Sequence, residues 1–385
     1  MLAAFILVAG AGSCARAPRT TGLVLAPPFP APTLWGPLEP DGYAVRLDTL
    51  MRRAPARNGW APAGRPVQIT IWSPATARGA LLTYRDYIAL TANQGSLETA
   101  TPEASTAAIA RLTRFVTSTG SSDEAVRQWM DMPVAASWDA PRAPGRFPLV
   151  VIAQGNYHSA YNQAVLGEYL ASHGYVVATS PSPLVVEDTP DSASLLTRAR
   201  RQAADIEYVA DVMRNRAGVD PLRVAVVGHS FGARAAFVAI VDGAPCRAFV
   251  SLDGGIANKL GNDWLAGTPL DTAQLRIPLL HIYQDRDSTV QPDFTLVRRW
   301  HRADRNLVRV DDMHHQYFTA LGFVAAVDTA LHVGPPVANL ATKVGGVVQM
   351  TGAFLDAVLR RGATTPALPR ANVAPFSTEH LAVGQ

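Results

Sequence analysis

Gly228-His229-Ser230-Phe231-Gly232 is a glycine-flanked serine between the apolar run Arg223 to Val227 and the alanine-rich stretch Ala233 to Val241. A G-x-S-x-G segment between a strand and a helix lifts the serine hydroxyl clear of the sheet on a strained turn, where flanking side chains would strike their neighbours. A hydroxyl becomes an effective nucleophile when a base takes its proton. This motif therefore demands a histidine downstream, backed by a carboxylate, in the order Ser, acid, His. The bland alternative is a surface turn between glycines.

The chain supplies both partners. Asp311-Asp312-Met313-His314-His315-Gln316-Tyr317-Phe318 offers two adjacent histidines, His314 and His315, for the base. No third ligand stands at helical or hairpin spacing from them, so the pair implies no metal, and no organic cofactor is expected. Two carboxylates compete for the acid: Asp253, after the run Ala248 to Leu252, and Asp287, in Gln284-Asp285-Arg286-Asp287 after the next run. Both fall at the carboxyl edge of a parallel sheet, where sites in such folds form, and the residues alone leave the choice open. The alternatives are a cap of the glycine turn for Asp253 and a loop or helix cap for Asp287. An oxyanion formed at Ser230 needs two backbone N–H donors, one from the residue after the nucleophile and one from the loop after an earlier strand. Phe231 supplies the first. Asn156, in Gln154-Gly155-Asn156, is the candidate for the second, against an ordinary strand-to-helix glycine turn.

Short apolar runs separated by helical stretches must position these residues. The runs are Leu149 to Ala153, Tyr175 to Thr179, Arg223 to Val227, Ala248 to Leu252, Pro278 to Tyr283 and Leu307 to Val310. Leu196 to Arg216, with Ile206, Val209 and Met213 at helical spacing, and Val347 to Arg361 read as helices packing on a sheet. The pattern predicts an α/β fold, a mostly parallel twisted sheet with helices on both faces. Tyr43 to Leu47 and Val67 to Trp72 alternate as an antiparallel pair at a sheet edge. Residues 84–144 read as a helical insertion before the core strands, with Ala107 to Val116 and Glu124 to Met130 as its helices. Its apolar residues, Ile109, Leu112, Val116, Trp129, Met130, Met132 and Trp138, either pack it onto the domain or also wall the acyl pocket. The domain then spans residues 41–362, followed by a flexible tail, 363–385.

Composition narrows the function. With 48% hydrophobic and 17% charged residues the chain can bury a substantial core, which excludes disorder, collagen-like repeats and a coiled coil. Thirty-four basic residues face 31 acidic ones, scattered rather than striped, so no nucleic-acid partner is expected. Neither a Walker loop nor a G-x-G-x-x-G appears. Two cysteines, Cys14 and Cys246, exclude a disulfide scaffold. Leu2 to Ala11 followed by Gly12-Ser13-Cys14 resembles an export signal, with Cys14 at a lipobox-like position, and residues 15–40 read as a Pro/Ala-rich tether. A secreted, periplasmic or envelope lipoprotein location follows, with membrane contact only through a lipid at Cys14.

The segment Pro148 to Pro183, with Gln-Gly-Asn-Tyr and Gly-Glu-Tyr-Leu-Ala-Ser-His-Gly-Tyr-Val-Val-Ala, resembles the platelet-activating-factor acetylhydrolase-like and dienelactone-hydrolase-like branch of the α/β-hydrolases. Gly228 to Gly232, Val250-Ser251-Leu252-Asp253-Gly254 and Val67 to Pro74 carry the same likeness, which runs from about Arg65 to Arg361. Gln154 departs from a frequent His-Gly pair and Ala233 from a frequent second glycine. The resemblance implies the α/β-hydrolase fold, Asp253 as acid and, through His315-Gln316-Tyr317-Phe318, His315 as base. It implies a serine esterase acting on small-molecule esters with short acyl groups. The rivals are a cutinase- or lipase-type polyesterase, with Asp287 in a cutinase-like position, and a catalytically silent binding protein on the same fold.

Overall fold

The computed structural model describes residues 33–36, 38, 41–56, 64–186, 194–265, 270, 272–366, 368 and 374–385. Among the described residues the centre is one sheet of eleven strands: β1 Ala44–Ala54, β2 Arg65–Ala75, β3 Leu81–Thr83, β4 Pro133–Ser137, β5 Phe147–Ala153, β6 Val176–Ser180, β7 Val219–His229, β8 Ala248–Leu252, β9 Leu279–Tyr283, β10 Arg305–Val310 and β11 Phe376–Leu381. The spatial order is β11-β10-β9-β8-β7-β5-β6-β2-β1-β4-β3. From β10 to β6 every neighbouring pair is parallel, and β11 and β2 join antiparallel at the two ends of that block.

Side chains alternate between the two faces of each strand, so the parallel block builds two cores. Val150, Ile152, Ala225, Val227, Val250, Leu252, Leu280 and Ile282 join one core, packed under the helices Ala164–Ser172 and Leu340–Leu355. Leu149, Val151, Val224, Val226, Phe249 and Leu279 join the other, under Leu195–Arg214 and Phe231–Val241. Each parallel strand reads as a continuous apolar run because both of its faces are buried.

Three expectations need correction. First, β1 and β2 pair antiparallel along their full length but do not form the sheet edge, because β4 and β3 lie outside them. The segment 84–144 holds the helices Pro102–Ser118 and Asp123–Met130, but it also contributes β4, parallel to β1. Pro-Val-Ala-Ala-Ser is short and built mainly of small residues, so it carries little strand signal. Second, residues 15–40 are not wholly a tether. Residues 1–32, Cys14 among them, lie outside the described residues, but Leu34, Trp35 and Leu38 are buried in the core. The Trp35 indole N–H donates to Glu168 Oε2 at 2.6 Å. Third, the tail is not frayed at its end. Phe376–Leu381 adds an antiparallel strand to β10, and the Phe376 ring fills the space that Gly346 leaves on the helix Leu340–Leu355. The buried Arg305 donates to the carbonyls of Ala382, at 2.6 Å, and Gln385, at 3.1 Å.

Glu168 joins several of these pieces. It is fully buried and also accepts from the Tyr87 hydroxyl (2.6 Å) and the Ala135 and Ala136 amides (2.8 and 3.3 Å). Burial pushes its carboxyl up to about 7 against the pull of these donors. Among the described residues no helix is long and apolar enough to cross a membrane.

Candidate active site

Ser230 stands at the junction between β7 and the helix Phe231–Val241, with φ 54° and ψ −123°. A positive φ is costly for a residue with a side chain and persists only where the surroundings enforce it. Two residues on, β5 leaves no room for a side chain: a Cβ on Gly232 would strike the Ala153 carbonyl oxygen. Glycine there lets the helix start against the neighbouring strand. The turn is also tied to β8, because Ser230 N–H donates to Leu252 O at 3.2 Å and Gly255 N–H to Ser230 O at 3.0 Å.

Asp253 follows β8 directly, again with positive φ, 42°. Its N–H donates to Ile282 O at 2.7 Å, which turns the carboxylate back over the strand ends. Gly254 keeps this turn close to the elbow, since a Cβ there would strike Ser251 Oγ and the Ala233 methyl. His315 begins a 3₁₀ turn, His315–Phe318, after β10. Its Nδ1 lies 2.6 Å from Asp253 Oδ2 and its Nε2 lies 2.9 Å from Ser230 Oγ. Three strand ends thus bring a hydroxyl, an imidazole and a carboxylate into one hydrogen-bonded line. His315 and Asp253 are nearly excluded from water, with side chains 11% and 4% exposed.

The rival residues stand elsewhere. Asp287 accepts from the Thr289 amide at 2.9 Å and its hydroxyl at 2.7 Å, capping a 3₁₀ turn. Partial burial would raise its carboxyl; the Thr289 bonds and nearby His315 and His314 outweigh that and hold it below the usual carboxylate range. His314 meets the Tyr317 ring edge to face at 6.4 Å. Among the described residues it bonds neither Ser230 nor Asp253.

Phe231 and Asn156 line one small pocket with Ser182, Pro183, Leu184, Arg198, Arg201 and Gln202. The Phe231 N–H is the first of its helix and has no intrahelical acceptor. Gln154, at the start of the neighbouring loop, is fully buried: its side chain donates to Thr179 Oγ1 at 3.0 Å and its carbonyl accepts from Gln202 at 2.6 Å. These bonds fix the strand end from which Asn156 departs.

Two further features escape sequence reasoning. His229 stacks on His315 at 4.9 Å and on His158 at 5.3 Å, a column of three imidazoles behind the site. Burial and the neighbouring His315 push His158 down to about 4, and the same causes lower His229. Both are therefore neutral near pH 7. Gln284, fully buried after β9, lies against the Asp253 carboxylate. His281, in β9, bonds Ser251 Oγ at 2.9 Å inside the sheet.

A ferulic acid esterase from Streptomyces cinnamoneus superposes with a TM-score of 0.62 over 90% of this chain and 98% of its own, at 19% sequence identity. The chain has the α/β-hydrolase fold. Within that fold, cutinase 2 of Thermobifida cellulosilytica is 30% identical over 165 residues, 42% of this chain and 56% of the relative. Cutinase cut1 of Thermobifida fusca is also 30% identical over 165 residues, 42% of this chain and 46% of the relative. The chain thus spans about half the length of the curated relatives it matches. No protein-family model matches it.

Proposed function

We propose that the chain is a serine esterase that hydrolyses short-acyl carboxylic esters through an acyl-enzyme. The observation that carries this is the hydrogen-bonded line Ser230 Oγ, His315 Nε2, His315 Nδ1, Asp253 Oδ2, at 2.9 and 2.6 Å. As His315 takes its proton, Ser230 Oγ attacks the ester carbonyl, and the Phe231 and Asn156 amides hold the oxyanion. Asp253 orients the imidazole and stabilises its charged form. The imidazolium then protonates the leaving alcohol, and water, activated by the same base, releases the acid.

The cutinase relatives and the esterase neighbour support the ester-hydrolase class. The acid directly after β8 fits the acetylhydrolase-like and dienelactone-hydrolase-like resemblance, and it is that resemblance which argues for small acyl groups. The cutinase relatives favour a second reading, a polyesterase. In either case the partner is an ester substrate. Export, to a secreted, periplasmic or envelope-lipoprotein location, is part of the proposal and rests on residues 2–14 alone. Hydrolysis of p-nitrophenyl esters by wild type and by Ser230→Ala tests the function: activity should be present in the first and lost in the second.

A further inference from the structure

Gln284 has an orientation that its partners dictate. Its Oε1 accepts from the amides of Arg286 at 2.7 Å and Asp287 at 2.6 Å, both of which can only donate. Its Nε2 therefore faces the other way, toward Asp253 Oδ2 at 3.3 Å and Val290 O at 3.2 Å, both of which can only accept. Its backbone N–H reaches Asp253 Oδ1 at 3.3 Å. One residue thus serves both oxygens of the acid, and its side-chain amide is fully buried. The carboxylate receives two directed N–H groups from Gln284 and a third from His315, which leaves its Oδ2 turned to the imidazole. The two backbone amides held by Oε1 belong to the loop that carries the competing carboxylate, Asp287, whose side chain is turned to Thr289.

We propose that Gln284 is a positioning residue that holds the Asp253 carboxylate toward His315 and, through the Arg286 and Asp287 amides, keeps Asp287 out of that place. The inference rests on the serine-esterase reading, in which the line from Ser230 to Asp253 performs the reaction. Gln284 touches no reacting atom and acts through the acid. A residue that only filled space would be replaceable by an isostere; one that positions by donating a hydrogen bond would not be.

Gln284→Glu separates the two. Glutamate keeps the volume and the oxygen that holds the Arg286 and Asp287 amides, but it replaces the donor that faces Asp253 with an acceptor. The ionisable groups around position 284 are Asp253 and His315, Asp285 with its partner Arg309, Arg286 with Asp312, Asp287, and His314. At pH 8 two carboxylates then face one another. We expect kcat on an aryl ester, and the rate of labelling by a fluorophosphonate, to fall ten- to a hundredfold while KM stays within twofold. As the pH is lowered toward 6 the new carboxyl takes up a proton and donates again, so the deficit relative to wild type should shrink. Wild-type rates in Gln284→Glu across this range, with Ser230→Ala inert, would overturn the role of Gln284 and leave the esterase reading standing. Turnover in Ser230→Ala would instead overturn the reading itself. Should Gln284→Glu fail to fold, Gln284→Met, which keeps the bulk and cannot donate, should show the same loss of kcat with unchanged KM and no recovery at low pH. Full kcat in that variant would overturn the proposal.

Discussion

His315 Nδ1 lies 2.6 Å from Asp253 Oδ2, whereas Asp287, carried by the next strand's loop, directs its carboxylate to Thr289. Two carboxylates that the residues alone could not rank therefore occupy different hydrogen-bonding environments. Asp253→Asn should lower kcat by at least about a thousandfold, because an amide there stabilises the wrong imidazole tautomer. Asp287→Asn keeps an oxygen that can cap the turn, and activity should stay within about threefold of wild type with little change in stability. Steady-state kinetics of the pair is the check, and the reverse ranking would move the acid to the loop after β9.

The adjacent histidines should separate as sharply. His315→Ala removes the group between Ser230 and Asp253, so residual turnover should be at least about a thousandfold lower than wild type. His314→Ala removes an edge contact with Tyr317 and should retain most activity. Comparable losses in both variants would contradict a single base at position 315.

Glu168 makes stability depend on pH. Its ordinary value is 4.5 and burial in the folded chain pushes it up to about 7. Below 4.5 both states carry the proton and its contribution to stability is fully present; as pH rises to about 7 the unfolded chain loses the proton first and the contribution is lost, on the order of 3 kcal/mol. Glu168→Gln cannot titrate. Measured as urea midpoints from pH 4.5 to 8, wild type should lose stability relative to Glu168→Gln across this window, and parallel profiles would contradict the account.

Substrate size follows from the segment 84–144. Leu112, Val116, Trp129 and Met130 are buried in the core, and Ile109, Met132 and Trp138 pack partly buried against it, so most of the expected wall serves to attach the segment. The attachment still reaches the loop after β5, through Ser159 to Gln94 at 3.0 Å and Tyr84 to Tyr161 at 2.9 Å. That loop carries Asn156, so the rim is braced against widening. Among p-nitrophenyl esters, kcat/KM should peak at acyl chains of about two to six carbons, with each methylene that does not fit costing roughly 1 to 3 kcal/mol. A rate rising steadily to long chains, or soluble products released from a polyester film, would favour the polyesterase.

The elbow was legible because its chemistry is local: glycine, serine and glycine between a buried strand and a helix need only their immediate neighbours. The six apolar runs were legible for a related reason, since a strand buried on both faces writes a continuous apolar stretch. What escaped depends on partners far along the chain. Nothing near Trp35 announces that its indole will meet Glu168, and nothing in Pro133 to Ser137 signals a strand until β1 lies beside it. Phe376 to Leu381 alternates weakly and gains its place from the gap at Gly346. Nothing in the sequence around Gln284 marks it out, and only the turn at Asp253 makes it a partner of the acid.

The central claim is that the Ser230 hydroxyl forms the covalent intermediate. Intact-mass and peptide mapping after treatment with a fluorophosphonate tests it most directly. The account predicts one adduct per chain, on the peptide that carries Ser230, absent in Ser230→Ala and formed far more slowly in His315→Ala. No adduct on folded wild type, or an adduct on another residue that persists in Ser230→Ala, would contradict it.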